Sequence, residues 1–135
     1  MMKQLAAFEP QLRSLLRIMA GFTFSLHGWQ KFFGLFGGIG GTRPPLDSML
    51  GAAGVIETFG GILMILGLFT RPVAFFLSGE MAVGYFRTHA PRGFWPLTPG
   101  GNGGEQAVFY CFLWLWLSAA GAGAWSLDRM FGRKA

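Results

Sequence analysis

Apolar residues fill this chain in long blocks rather than in alternation. From Gln106 to Leu127 the run QAVFYCFLWLWLSAAGAGAWSL puts about 22 residues without charge between Glu105 and Asp128, enough helix to cross a hydrocarbon core of about 30 Å. A second block, Ser48 to Thr70, holds about 23 residues whose only charge is Glu57, again a full crossing. Two shorter blocks lie between Arg17 and Lys31, with about 13 uncharged residues, and between Arg71 and Arg87, with about 15 interrupted by Glu80. Snorkelling cations at their ends extend both. The pattern predicts an all-α fold in a single domain, 1–135: an integral membrane four-helix bundle with helices at about 12–36, 47–69, 72–89 and 105–127.

The punctuation between blocks agrees. GGIGGTRPP (37–45) separates the first two helices, and TRP (70–72) makes a short turn with Pro72 at a helix start. APRGFWPLTPGGNGGE (90–105) is the long loop, where prolines and glycines forbid a span and Phe94 and Trp95 suit a membrane interface. The first apolar run ends in bulky QKFFGLFGG rather than a small-residue cleavage site, so the first span is expected to stay.

Composition strengthens the membrane reading: 13% of residues are charged, 52% apolar and 16% aromatic, far from soluble averages. The net charge of +5 does not indicate nucleic acid, because the cations fall at the ends of oily runs instead of along one face. With four crossings both termini share a side, which holds Lys3, Arg13, Arg17, Arg71, Arg129, Arg133 and Lys134 against Lys31, Arg43, Arg87 and Arg92 opposite. That bias predicts cytoplasmic termini in a multi-pass protein. The 90–104 loop then faces outward.

Polar residues inside the spans carry the candidate chemistry. A carboxylate near the bilayer centre costs about 2.5–3.5 kcal/mol on insertion scales, so Glu57 and Glu80 are expected to face protein or water. Counting about 1.5 Å per residue from the outer helix ends puts Glu57 roughly 15 Å deep and His27 and Glu80 roughly 13 Å deep. Gly54, Glu57 and Gly61 share one stripe of the second helix, as do Phe76, Glu80 and Gly84 on the third. His27, Glu57 and Glu80 therefore form a candidate ligand pocket that exchanges protons or hydrogen-bonds a carbonyl such as a quinone oxygen. A purely structural polar clasp between helices is the competing reading.

A second candidate site is an outer basic and aromatic patch of Lys31, Arg87, His89, Arg92 and Trp95, suited to an anion, a headgroup or simple solvation. Other chemistries are poorly served. No metal site is expected, and bis-histidine haem fails because His89 lies at the membrane edge, about 12 Å from the level of His27. The single Cys111 offers neither a disulfide nor a CxxC pair. GGIGG and GGNGGE follow membrane helices rather than strands and are not phosphate loops.

Several stretches together resemble the DoxX family of small, mostly bacterial, four-helix membrane proteins. HGWQKFFG (27–34) is similar to its HG and K-[LF]-[FL]-G pattern, and GVIETFGGILMILGLFTRPVAF (54–75) to its Glu, paired Gly and GL-x-TR signature. HAPRGFWP followed by GGNGGEQAVFY resembles its histidine loop and Gly-Gly-x-x-Glu restart, and GAGAWSLD (121–128) its G-P-G-x-x-SLD ending, with Ala122 at the proline position. The resemblance marks His27, Lys31, Glu57, Arg71, His89 and Glu105 as matched polar positions without assigning them roles. It implies a multi-pass protein of the bacterial inner membrane and an oxidoreductase subunit, since relatives are often so described, some in thiosulfate oxidation coupled to quinone and others in membrane-bound thiol and oxidative-stress complexes, while many others have no assigned activity.

Two functions follow as expectations. One is a redox-linked membrane subunit that binds quinone near Glu57 while a membrane or periplasmic partner carries the metal or thiol chemistry, because this chain has no cofactor motif of its own. The other is a non-catalytic scaffold or assembly subunit whose aromatic loop docks a larger membrane complex. A small proton-coupled carrier is a weaker third, since no inverted repeat relates the halves.

Overall fold

The computed structural model describes residues 2–97 and 99–133; of the cations counted for topology, Lys134 and the side chain of Lys3 lie outside that description. Regular structure among the described residues is helical apart from one isolated bridge between Ile39 and Thr42. The helices are α1 Met2–Ala7, α2 Glu9–Phe32, α3 Met49–Leu66, α4 Thr70–Gly84, α5 Glu105–Ala120 and α6 Leu127–Met130. The path of α4 continues through a π turn, Tyr85–His89, and a 3-10 turn, Ala90–Arg92.

Local chemistry sets the ends. Pro10 sits in the first turn of α2, where a missing N–H costs nothing. Gly34, left-handed at φ 71°, lies just beyond the end of α2, before the predicted end at 36. Ser48 caps α3 by accepting the Gly51 N–H at 3.0 Å. At its other end Gly67 takes φ 64° while the Leu68 N–H donates to Leu63 O at 3.0 Å, a Schellman ending that only glycine enters without strain.

The largest departure from expectation is the last helix, which stops at Ala120 rather than near 127. Gly121 and Gly123 adopt φ 88° and 85°, so GAGAW leaves the helix axis as an irregular strap, and 16 residues of α5 rise only about 24 Å. Hydropathy does not distinguish helix from a well-packed apolar strap. Among the described residues α3 alone is long and apolar enough to cross a membrane by those criteria.

α2 packs along α3, α3 against α4, and α4 along α5. Their shared core is Ala20, Phe24, Met64, Ala74, Leu77, Met81, Trp114 and Leu117, with Phe24 edge-on to Trp114 at 5.4 Å. The α2/α3 contact is the tightest: a Cβ at Gly28 would lie 2.4 Å from the Thr58 nitrogen, and one at Gly61 2.8 Å from the Ser25 Cβ. The distribution of polarity is inverted relative to soluble proteins. Ser14, Arg17, Ser25, Glu57, Thr58 and Ser78 are buried, while Phe59, Phe75, Phe76, Phe109 and Phe112 are exposed.

Candidate functional site

The polar site grows from the glycine contact between α2 and α3. Gly54 leaves room for the stem of Lys31, since a Cβ there would fall 2.7 Å from the Lys31 Cβ. A helical side chain leans toward its helix N-terminus, and Lys31, near the end of α2, therefore reaches back into the bundle. Its ammonium donates to both carboxylate oxygens of Glu57, each at 2.6 Å. Glu57 is 3% exposed. Charge pairing with full occupation of both oxygens is what makes such burial tolerable.

Glu80 completes the cluster from α4. It is half-buried, close enough to feel the charges of both Glu57 and Lys31, and its Oε2 is shielded from solvent with no hydrogen-bond partner among the described residues. His27 lies one turn before Lys31 on α2 and meets the Tyr110 ring edge-on at 6.5 Å. Glu80 thus interacts electrostatically with Glu57 and Lys31, and the residue paired with Glu57 is Lys31, expected from sequence in the outer patch.

One supporting expectation fails. Phe76, Glu80 and Gly84 do not form a close-approach stripe: Phe76 is exposed and a Cβ at Gly84 would meet nothing within 4 Å. The packed face of α4 is Ala74, Leu77, Ser78 and Met81, with Leu77 seated on Gly60 of α3, so Glu80 stands at the border of that face. An open groove of about 580 Å³ runs along α5, lined by Glu105, Gln106, Phe109, Tyr110 and Leu113 with Leu16 of α2, and none of Lys31, Glu57 and Glu80 lines it.

The outer residues are differently arranged. Arg87, Arg92 and Trp95 are exposed, whereas His89 is half-buried with its Nδ1 2.9 Å from the Asn102 carbonyl, which fixes the proton on that nitrogen. Asn102, fully buried, organises the loop: its Nδ2 donates to Gly93 O at 2.8 Å and to Tyr85 Oη at 3.1 Å, and its Oδ1 accepts the Gly104 N–H at 2.8 Å. Tyr85 in turn donates to Phe94 O. A Cβ at Gly104 would strike the Tyr85 ring at 2.6 Å, so this position requires glycine.

At the opposite end, three arginines counted for topology serve helix carbonyls. Arg17, fully buried, donates to Met64 O and Ile65 O at the end of α3 and to Ala122 O and Trp125 O in the strap. Arg71 donates to Ser118 O and Ala119 O, and Arg13 to Ala120 O, at the end of α5. Cations there oppose the negative end of the helix dipole. Asp128 does the converse for α4, accepting the Phe69 and Thr70 N–H groups at 2.8 Å each. The GLFTRP and GAGAWSLD motifs are thereby parts of one junction. Its signal in sequence was an arginine and an aspartate bordering apolar runs, which also reads as plain span boundaries.

The DoxX family model matches residues 12–90. An uncharacterized protein of Haemophilus influenzae is 45% identical over 98% of this chain and 100% of its own. The inner membrane protein YphA of Escherichia coli is 30% identical over 91% and 92%, and an uncharacterized membrane protein of Mycobacterium tuberculosis is 28% identical over 89% and 81%. No solved structure matches.

Proposed function

The chain belongs to the DoxX family of membrane proteins, and from that premise we propose a multi-pass protein of the bacterial inner membrane, a four-helix bundle with cytoplasmic termini, whose Lys31, Glu57 and Glu80 cluster holds the carbonyl end of a quinone for a redox partner subunit. The inner-membrane part draws on the name of the Escherichia coli relative. The multi-pass part draws on the inverted polarity of the bundle, with phenylalanines outside and an ion pair within.

The observation that carries the ligand reading is the unpartnered, solvent-shielded Oε2 of Glu80 beside a paired lysine. An ammonium has three N–H donors, and Glu57 takes two directions from Lys31. The remaining donor fits a carbonyl oxygen, and Glu80 is the adjacent group able to accept or return a proton. These groups fit the polar end of a quinone, which when bound supplies two-electron carrier chemistry. Lys31 would orient the carbonyl, Glu57 would hold the Lys31 ammonium in place, and Glu80 would exchange the proton. The partner supplies the electrons, since the chain carries one cysteine and no cofactor motif.

The test is binding of a short-chain benzoquinone to the purified full chain in mild detergent, compared with Glu57→Gln and Glu80→Gln. Weakening of about tenfold, the loss of one hydrogen bond to a charged group, is expected in Glu80→Gln. Quinone affinity unchanged in both folded variants, or absent from the parent, overturns the reading.

A further inference from the structure

We propose that the 93–97 loop and the two arginines beside it form a binding face for anionic phospholipid, gripping the headgroup phosphate with Arg87 and Arg92 and seating Trp95 and Leu97 at the acyl boundary. This rests on the multi-pass reading above but is independent of the quinone.

The first observation is charge. Arg87 and Arg92 are exposed and neither has a hydrogen-bond or ion-pair partner among the described residues, unlike Arg13, Arg17 and Arg71 at the other end. They occupy successive turns, Arg87 in the π turn and Arg92 in the 3-10 turn that follows. A guanidinium fork matches a phosphate in geometry as well as sign, and an anionic leaflet attracts each such cation.

The second observation is apolar exposure on the same segment. Trp95 is 69% and Leu97 89% exposed, and Phe86 and Phe94 are also exposed, the rings of Phe94 and Trp95 touching at 4.8 Å between centroids. Exposed aromatics next to cations describe a membrane interface, where amphipathic rings sit at headgroup level.

The third is rigidity from within. Buried Asn102 holds Gly93 O and Pro96 O, and Tyr85 holds Phe94 O, so the backbone of the loop is tied down on its inner side while Trp95 and Leu97 project from it. A preformed loop binds without an ordering cost. The face sits where α4 ends, which puts it at the level of headgroups whichever leaflet that is.

The experiment uses the full chain in mild detergent with an equimolar mixture of phosphatidylglycerol and phosphatidylcholine, bound lipid being counted by native mass spectrometry. The expected result is a severalfold excess of phosphatidylglycerol that falls to near parity in Arg87→Gln/Arg92→Gln, and loss of both lipids in Trp95→Ala, with unchanged melting temperature because all three positions are exposed. No excess in the parent, or an excess that survives the double substitution, overturns the proposal. So does displacement of the lipid by millimolar inorganic phosphate, which marks a free-anion site, or a stoichiometric protein released by Trp95→Ala, which marks a protein face. Failure of the chain to remain in washed membranes would instead refute the multi-pass reading beneath it.

Discussion

Arg17→Met removes the fork that joins α3 to the strap while keeping much of the side-chain volume. Four carbonyls, Met64, Ile65, Ala122 and Trp125, lose their shared donor in a site where Arg17 is 0% exposed. A stranded buried acceptor costs about 1–3 kcal/mol, and water can reach some of these at the helix end, so the lower bound applies: about 4 kcal/mol in total. Asp128 adds to this, because Arg17 is a cation in its field and its removal leaves that carboxylate less balanced. For a chain of this size the loss corresponds to a fall in melting temperature of roughly 12 °C, measurable by intrinsic fluorescence of the purified protein in one detergent. Arg17→Lys, a point charge with three donors, should recover about half. A melting temperature for Arg17→Met within about 2 °C of the parent would refute the assignment of the arginine as the junction's common donor.

Two further predictions concern the bundle. Glu57→Gln should destabilise by about 3–5 kcal/mol by leaving the Lys31 ammonium, 16% exposed, without its counter-charge, whereas Lys31→Met/Glu57→Leu should recover most of the loss; detergent unfolding curves for the single and double variants decide it. Gly28→Ala, whose Cβ would sit 2.4 Å from the Thr58 nitrogen, should cost at least about 1–3 kcal/mol by parting α2 from α3, while Gly79→Ala, which meets nothing within 4 Å, should gain up to about 1 kcal/mol; equal melting temperatures for the two would contradict the packing.

Block length and glycine spacing made much of this legible. The four long helices appear within a few residues of their expected starts, and Gly54, Glu57 and Gly61 do share the face that α2 covers. What escaped has physical causes. Position along the chain puts Lys31 at the outer rim, but its stem leans back along α2, which moves the ammonium to Glu57. Arg17 and Arg71 look from sequence like solvated span ends, because a charge count does not distinguish a cation in water from one donating to helix carbonyls. Nothing in GGNGGE sets Asn102 apart from a loop residue among glycines, although four of the hydrogen bonds that hold its loop run through its side chain and carbonyl. The end of α5 is not legible in sequence, since Gly121 and Gly123 are as compatible with an apolar span as with the positive φ they adopt.

The strap of residues 121–125 has a consequence for the order in which the molecule can be assembled. Ser14 accepts the Trp125 N–H across a separation of 111 residues, and Pro10 O accepts the Ala124 N–H. On a ribosome α2, α3 and α4 are all available before either donor exists, so they can pair while this rim of the bundle remains open. Closing it is a long-range event, left to a segment that emerges after all three. During that interval the same acceptors are available to the corresponding segment of a neighbouring nascent copy, so the junction that closes one bundle is also the place where two unfinished ones would exchange this segment.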